Sequence, residues 1–584
     1  MFIAEGVPVL EKPDWVGNNY DNRPHLSHSF VQAAPAVEKM FYKDFWEEGL
    51  AIILTADEVK AVPQLGLCLA GWAKKLGKEC GRPITNGSGR RSMIQEEYLN
   101  SPFTKQLAIE TFGIIEHPVI GDIPRMIMEL EEKFKWNRKD MRVWKFDLRK
   151  AYTLLTYITS DVSKIGVELS DELFMFFLAG VFGLTGMPYT FQVITRAIVW
   201  EINNSTNKNS KFKGILKMYV DDGIAVCHKD DLENDKLVAF TFIRNLLGDN
   251  AIESSKTKDG VNGVIEFIGY EISLLGNFVT VADKNLKKAF YRFSNVDLSE
   301  GALIPVKTMQ ALASLGSRYG YISHLMRPFV RILYSSFRCR SHLQYITLED
   351  NAKRIIRLFQ CLFINLYLNR DKLHFSRKFE SFKSRRHTWA CEYDASLQGI
   401  GIMWFKVNED NNDEETLVAY AKVDISFMNF GTDSSFQNTC EYMGSLLCAH
   451  GMNLMGVGSE PVQHRGDSKT ALSWVEKGTT KSDPAIKAGL MWGIMVMTHE
   501  TNVQSQVKLT HDGNSRSDLF SRGYSYEDVL KEDRFNYGGK LSDKAVELKM
   551  DCRELLNLCN PRNLIDDDES FFNFFKKSLD LIKR

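Results

Sequence analysis

The chain has no Cys-x-x-Cys pair and no Cys/His cluster at zinc-ligand spacing, although its ten cysteines run from Cys68 to Cys559. Scattered thiols exclude a disulfide-stapled scaffold and point to a reducing, intracellular compartment, cytoplasmic or nuclear, rather than secretion. The first residues, MFIAEGVPVLEKPDW, lack a basic start followed by an apolar run, so no signal peptide is read. No uninterrupted apolar stretch is long enough to span a bilayer, which predicts a soluble protein without a membrane partner. Charge of one sign is also missing: 73 Lys and Arg face 74 Asp and Glu, a net charge of -1 at pH 7. A polyanion would therefore have to be held by local clusters and not by the field of the whole chain. There is no internal repeat and no low-complexity tract. At 584 residues the chain is too long for one core and should split into three or four domains.

Basic residues do cluster. One group is Lys74, Lys75, Lys78, Arg82, Arg90 and Arg91; a second is Arg327, Arg331, Arg338 and Arg340; a third is Arg377, Lys378, Lys383, Arg385 and Arg386. Such clusters are commonly solvated faces, so alone they establish nothing. From about Phe30 to Leu54 the pattern is helical, ending in the apolar GLAIILT. Residues 66–95 alternate apolar and basic positions with Gly and Pro, as in a twisted hairpin. From Arg142 to Ile272, short strands (RVWKFDL, ILKMYV, IAVCH, EFIGYEIS) alternate with helical runs, an α+β pattern. Residues 284–370 read as mostly helical. A basic joint, SRKFESFKSRRH, leads to strands at TWACEYDAS and GIGIMWF, and the tail beyond Tyr526 reads as helical.

The most informative segment is ILKMYVDDGIAVC, where Asp221 and Asp222 lie between two β-prone runs. Asp-Gly is a good tight turn, and that is the plain reading of the pair taken alone. A third acid, Asp147, ends another apolar strand, VWKFDLRKAY. If the strands are neighbours, the carboxylates meet at one sheet edge. Packed carboxylates repel, so such a site favours divalent cations with oxygen ligands. Two Mg²⁺ ions there suit activation of a primer 3′-hydroxyl and stabilisation of pyrophosphate.

Tyr219-Val220-Asp221-Asp222 resembles the catalytic hairpin of reverse transcriptases, and FDLRKAY resembles their first metal-binding strand. Further matches follow in order: WAKKLGKECGRPITNGS resembles the fingers segment, FGLTGMPYTFQ the pocket-shaping stretch, and SSKTK with FIGYEI the later palm lysine and primer grip. The resemblance implies that Asp147 and Asp221 bind metal with support from Asp222 and the Leu148 carbonyl. It implies that Lys75 and Arg82 hold the dNTP triphosphate and that Tyr152 is the gate against a ribose 2′-hydroxyl. Phe182 would line the pocket. Lys256 would protonate pyrophosphate, with Lys258 close enough to compete. Asn86 stands where the family more often has Asp, and Phe182 where some branches have Gln.

The C-terminal third carries four more acids: Asp394 in CEYDASLQGIGIMWF, Glu441 in CEYMGSLLCAHGM, Asp467 after PVQHRG, and Asp518 in HDGNSRSDLFSRG. Any one alone reads as a solvated acid or a helix cap. Together they resemble the Asp–Glu–Asp–Asp order of RNase H, including the Asn514-to-Asp518 spacing. The resemblance implies two Mg²⁺ ions activating water against a phosphodiester. His511 would assist product release or be a plain loop histidine.

The resemblance covers about residues 35–525. It implies an α+β multidomain fold, a right-hand polymerase with fingers, palm and thumb, a helical connection and an RNase H-like α/β domain. The expected boundaries are 1–34 for an N-terminal extension, 35–280 for fingers and palm, 281–385 for thumb and connection, 386–525 for the RNase H-like domain, and 526–584 for a helical tail. The implied activity is RNA- and DNA-templated DNA synthesis with cleavage of the RNA strand of RNA–DNA hybrids. Its partners would be RNA template, DNA primer, hybrid and dNTPs, with Mg²⁺ (two per site) or Mn²⁺ as cofactor. Arg327–Arg340 and Arg377–Arg386 would track the duplex backbone. FGLTGMPYTFQ, YDASLQGIG, DSKTALSWV and NSRSDLFSRG look closest to gypsy-type and DIRS-type retrotransposons. Neither flank shows an aspartic-protease triplet, a zinc knuckle or an integrase-like zinc cluster. The rival reading is a domesticated nucleic-acid-binding scaffold without polymerase activity. An RNA-templated RNA polymerase is disfavoured by Tyr152 and by the RNase H domain.

Overall fold

The computed structural model describes residues 5–11, 15, 17, 20–21, 23–24, 28–62, 64–74, 81–88, 99–170, 172–204, 211–260, 262–340, 342–368, 375–383, 386–408, 414–478, 480, 483–510, 515–532, 540–562 and 568–583. It divides into two compact units, Met1–Ile268 with Ser273–Gly276, and Gly269–Ile272 with Asn277–Arg584. The expected α+β multidomain architecture holds. Among the described residues, no helix is long and apolar enough to cross a membrane, and every cysteine is free.

The first unit contains two sheets. In one, β1 (Ala51–Thr55), β2 (Leu67–Lys74), β3 (Gly81–Asn86), β5 (Gly166–Ser170) and β6 (Leu173–Phe177) run in the order β1-β6-β5-β2-β3. In the other, β4 (Met141–Asp147), β7 (Ile215–Tyr219), β8 (Asp222–His228) and β9 (Lys258–Asp259) run β7-β8-β4-β9. Trp144 and Phe146 of β4, Leu216 of β7 and Ala225 and Cys227 of β8 share one core with Ile194 and Ile198 of helix Gly186–Asn204 and Ile243 of helix Leu232–Leu247. The N-terminal residues belong to that core: Val7 N donates to Thr156 O at 2.8 Å, and Ile158 N donates to Val7 O at 3.1 Å. β10 (Val264–Phe267) closes the unit.

The AIILT segment departs from the helical expectation. Helix His28–Phe41 gives way to a short π-helical turn, and Gly49, at φ 70°, ends the run. Ile52 and Ile53 are β-branched, and β1 gains an antiparallel partner in β6, with Ala51 opposite Phe177.

In the second unit, β11 (Tyr270–Ser273) and β12 (Phe278–Val281) precede a helical array, Asp283–Ser294, Val306–Ile322, Arg327–Arg338 and Asp350–Leu368. β13 (Ile304–Pro305) and β14 (Tyr345–Ile346) form a small ribbon within it. Phe293, Tyr319, Phe359 and Phe363 meet in a ring cluster at its centre. The basic joint does more than connect: Ser376–Lys378 is β15 and pairs with β12. A six-stranded sheet follows, with β16 (Trp389–Ala395), β17 (Gly399–Asn408), β18 (Glu414–Asp424), β19 (Pro461–Gly466), β20 (Asn502–Lys508) and β21 (Val546–Glu547) in the order β20-β19-β16-β17-β18-β21. β16, β19 and β20 are mutually parallel, while β17 runs antiparallel to both of its neighbours, β16 and β18. The tail thus contributes a strand as well as helices, because β21 covers the open edge of β18.

Candidate active sites

In the first unit, β4 and β8 pair antiparallel with Asp147 directly opposite Asp222. Tyr219 pairs with Asp222 across β7 and β8, so the tight turn is Val220-Asp221 and not Asp222-Gly223. Val220 has φ 55°, a conformation that costs a β-branched residue about 1–3 kcal/mol and clusters at functional positions. Gly223 has a different task. A Cβ there would lie 2.2 Å from Phe146 Cζ, so the glycine makes room for the core beneath the carboxylates.

The neighbouring backbone is held tightly. Leu148 N donates to Asp221 O at 2.9 Å, Glu253 N to Asp147 O at 2.9 Å, and Arg149 N to Ala251 O at 2.8 Å. Burial first, then the charges of Asp221 and Asp147, push the Asp222 carboxyl up to about 6. Lys256 Nζ donates to Asp147 Oδ2 at 2.5 Å, a cation already seated on that carboxylate. Lys258 lies on β9 opposite Lys145.

Tyr152 follows on a 3₁₀ turn, Ala151–Leu154, with its ring 4.9 Å from Phe182 and 5.4 Å from Phe191. It is largely buried, and its phenol is pushed up by burial and by the charge of Asp221. Phe182 O accepts from Thr85 N at 3.0 Å, and a Cβ on Gly183, at φ 113°, would meet Thr85 O at 1.7 Å. The FGLTG stretch is thereby pressed against β3. Asn100 clamps it, with Nδ2 donating to Gly183 O at 2.6 Å and Oδ1 accepting from Thr185 N at 2.7 Å. Nothing in the sequence singled out Asn100. Lys75 lies outside the described residues; Arg82 lies on β3, with its side chain outside them.

In the second unit, Asp394 is the penultimate residue of β16 and Asp467 directly follows the parallel neighbour β19, so both stand at carboxyl ends of adjacent strands. Glu441 joins them from helix Gln437–Leu454. One oxygen each of Asp394, Glu441 and Asp467 lie within 4.8 Å of one another, the only such acidic set among the described residues. Gln437 Nε2 bonds both Glu441 Oε1, at 3.2 Å, and Ala395 O. Glu441 Oε2 is buried without a hydrogen-bond partner. Burial, then the charges of Asp394 and Asp467, hold Glu441 well above the usual carboxylate range. Asp394 is pushed up to about 6, mainly by burial, with Asp518 and Asp467 adding to it. A buried, unpartnered carboxylate oxygen facing two like charges suits an oxygen-seeking divalent cation.

Asp518 lies on helix Ser515–Ser521 and accepts from Arg522 Nε at 2.9 Å. Ser521 Oγ donates to Asp394 Oδ2 at 2.9 Å. Ser521 and Arg522 both lie in the NSRSDLFSRG segment, in which the resemblance rests on Asn514 and Asp518. His511 and Asn514 lie outside the described residues.

Two of the basic residues expected on a duplex are engaged internally. Arg327 Nε and Nη1 donate to Gly320 O and Lys477 O, each at 2.9 Å. Arg377 donates to Ser381 Oγ, Ser381 O and Tyr321 O, with its guanidinium 4.1 Å from the Phe382 ring centre.

No family model matches the sequence, and no curated protein matches it. Among solved structures the chain is similar to foamy viral protease-reverse transcriptase in complex with dsDNA, at 12% identity and TM-score 0.43, covering 87% of this chain and 89% of that one. It is also similar to the form described as dRH in complex with ds DNA, at 10% identity and TM-score 0.44, covering 86% and 74%. A third match, the foamy viral enzyme in complex with RNA/DNA hybrid, has 11% identity and TM-score 0.42, and covers 86% of this chain but 57% of that one.

Proposed function

We propose that the chain is the reverse transcriptase of a mobile retroelement, of gypsy or DIRS type by its motif wording, with an RNase H that cuts the RNA strand of hybrids. The supporting observation is the pair Asp147 and Asp222 in register beside the Val220-Asp221 turn, in a chain whose other unit gathers Asp394, Glu441 and Asp467 within 4.8 Å. Mg²⁺ at each set would activate the attacking oxygen and offset charge on the leaving one. Asp147, Asp221 and Asp222 would hold it in the palm, with the Leu148 carbonyl. Asp394, Glu441, Asp467 and Asp518 would hold it in the nuclease. Tyr152, wedged by Phe182 and Phe191, would exclude a 2′-hydroxyl by shape. Lys256 reaches Asp147 and is the better placed lysine to give a proton to departing pyrophosphate, with Lys75 and Arg82 on the triphosphate.

The test is primer extension on a 5′-labelled RNA template with dNTPs and Mg²⁺, comparing the wild type with Asp221→Asn and Asp467→Asn. DNA synthesis lost in the first variant and template shortening lost in the second supports two independent sites. Protein that binds hybrid but extends no primer in Mg²⁺ or Mn²⁺ would establish the domesticated scaffold instead.

A further inference from the structure

Asp518 is the one acid of the C-terminal four outside the converging set. Its Oδ1 faces a guanidinium one helical turn on, Arg522 Nε at 2.9 Å. The adjacent Ser521 hydroxyl lies 2.9 Å from both Asp394 Oδ2 and Asp518 O. A hydroxyl has one proton, so Ser521 serves one of these acceptors at a time. Residues 521 and 522 therefore carry two donors that engage the acids, Ser521 as the last residue of one short helix and Arg522 directly after it.

The two contacts differ in how firmly they are made. Ser521 is buried, whereas the Arg522 side chain is 60% exposed and that of Asp518 27%. An ion pair so open to water is weak and exchangeable, unlike a buried one. The buried Glu441 oxygen without a partner shows that the site is short of positive charge or donors where it is deepest. A cation would meet that need, and a cation also competes with a guanidinium for any carboxylate they share.

We propose that Arg522 is the internal counter-ion of this site: its guanidinium holds Asp518 while no divalent cation is bound, and cation entry displaces it. Arg522 is a positioning residue here, acting on the site through Asp518. The proposal rests on the nuclease reading above. It makes the fourth acid a switchable ligand, and it makes Arg522 oppose cation binding while supporting the cation-free fold.

The test uses the full chain and Mg²⁺ alone, without nucleic acid. Calorimetric titration of the wild type and of Asp467→Asn isolates the Asp467-dependent binding. Arg522→Gln should tighten that binding about three- to fivefold, the scale of one exposed ion pair, while Arg522→Lys stays within about twofold of wild type because it retains the charge. In thermal melts, Arg522→Gln should be less stable than wild type without Mg²⁺ and close to it with Mg²⁺. Unchanged or weaker Mg²⁺ binding in Arg522→Gln, or a melting deficit equal in both conditions, overturns the proposal and leaves the nuclease reading standing. A wild type with no Asp467-dependent binding overturns the nuclease reading and the proposal with it.

Discussion

Asp147 and Asp222 face each other across the β4–β8 ladder, at the ~5 Å Cβ spacing of directly opposed residues. Like charges so placed destabilise a bare sheet edge. The fold tolerates them through Lys256 on Asp147 and by keeping Asp222 protonated up to about pH 6.

That strain predicts a pH-dependent response to cations. Asp222 and Asp394 both move from 3.8 to about 6 in the folded chain. The native state thus holds these protons more tightly than the unfolded one, and the cation-free protein loses stability as pH rises from about 4 to 6. Mg²⁺ held by the proposed sites would replace the missing protons above that window. Added Mg²⁺ should raise the melting temperature more at pH 8 than at pH 5; an equal rise at both would refute the account.

Gly223→Ala should damage the first unit through its core. The added Cβ would overlap the Phe146 ring, which is buried between β8 and helix residues. Overpacking of this kind costs about 1–3 kcal/mol, and the shift would carry Asp222 with it. Denaturant unfolding should show the loss, and primer extension should fall further than stability alone explains. Phe146→Leu in the same chain should restore part of both.

Tyr152→Ala should remove the proposed gate. Losing the ring removes the wall that Phe182 and Phe191 hold in place. Discrimination against ribonucleotides should drop on the order of tenfold or more, the scale of a deleted steric contact. Steady-state incorporation of rGTP against dGTP measures it, and an unchanged ratio removes the gate assignment.

His464 should make the second unit acid-labile. It is fully buried between Tyr393 and Trp492, and neither ring nitrogen has a partner. Burial lowers it from 6.5 to about 3. Its stabilising contribution is complete above pH 6.5 and is lost as pH falls towards 3, at up to about 1.4 kcal/mol per unit. His464→Phe should flatten that slope and gain about 2 kcal/mol at pH 5, read by unfolding at pH 5 and pH 8.

The placement of most of the candidate acids was legible in the sequence. Acids that end apolar runs, as Asp147, Asp394 and Asp467 do, announce strand ends. Their order along the chain, with Glu441 between, was enough to separate two sets. Partners were less legible. Arg327 and Arg377 read as solvent-facing cations, yet their guanidinium groups bind carbonyls that lie up to 150 residues away in sequence. The AIILT run read as helix because its strand partner, Leu173–Phe177, is more than a hundred residues on.

The sequence by itself determined which chemistry the chain can host, because side-chain type and the local run of apolar residues set where carboxylates can emerge from strands and helices. Only the tertiary structure decided how those groups are used. Long-range register put Asp147 opposite Asp222, turned Val220-Asp221 rather than Asp-Gly into the hairpin, made Gly223 a space for Phe146, and gave Asp518 to Arg522. Distances and burial between segments remote along the chain set charge, strain and partner, and no local pattern encodes them.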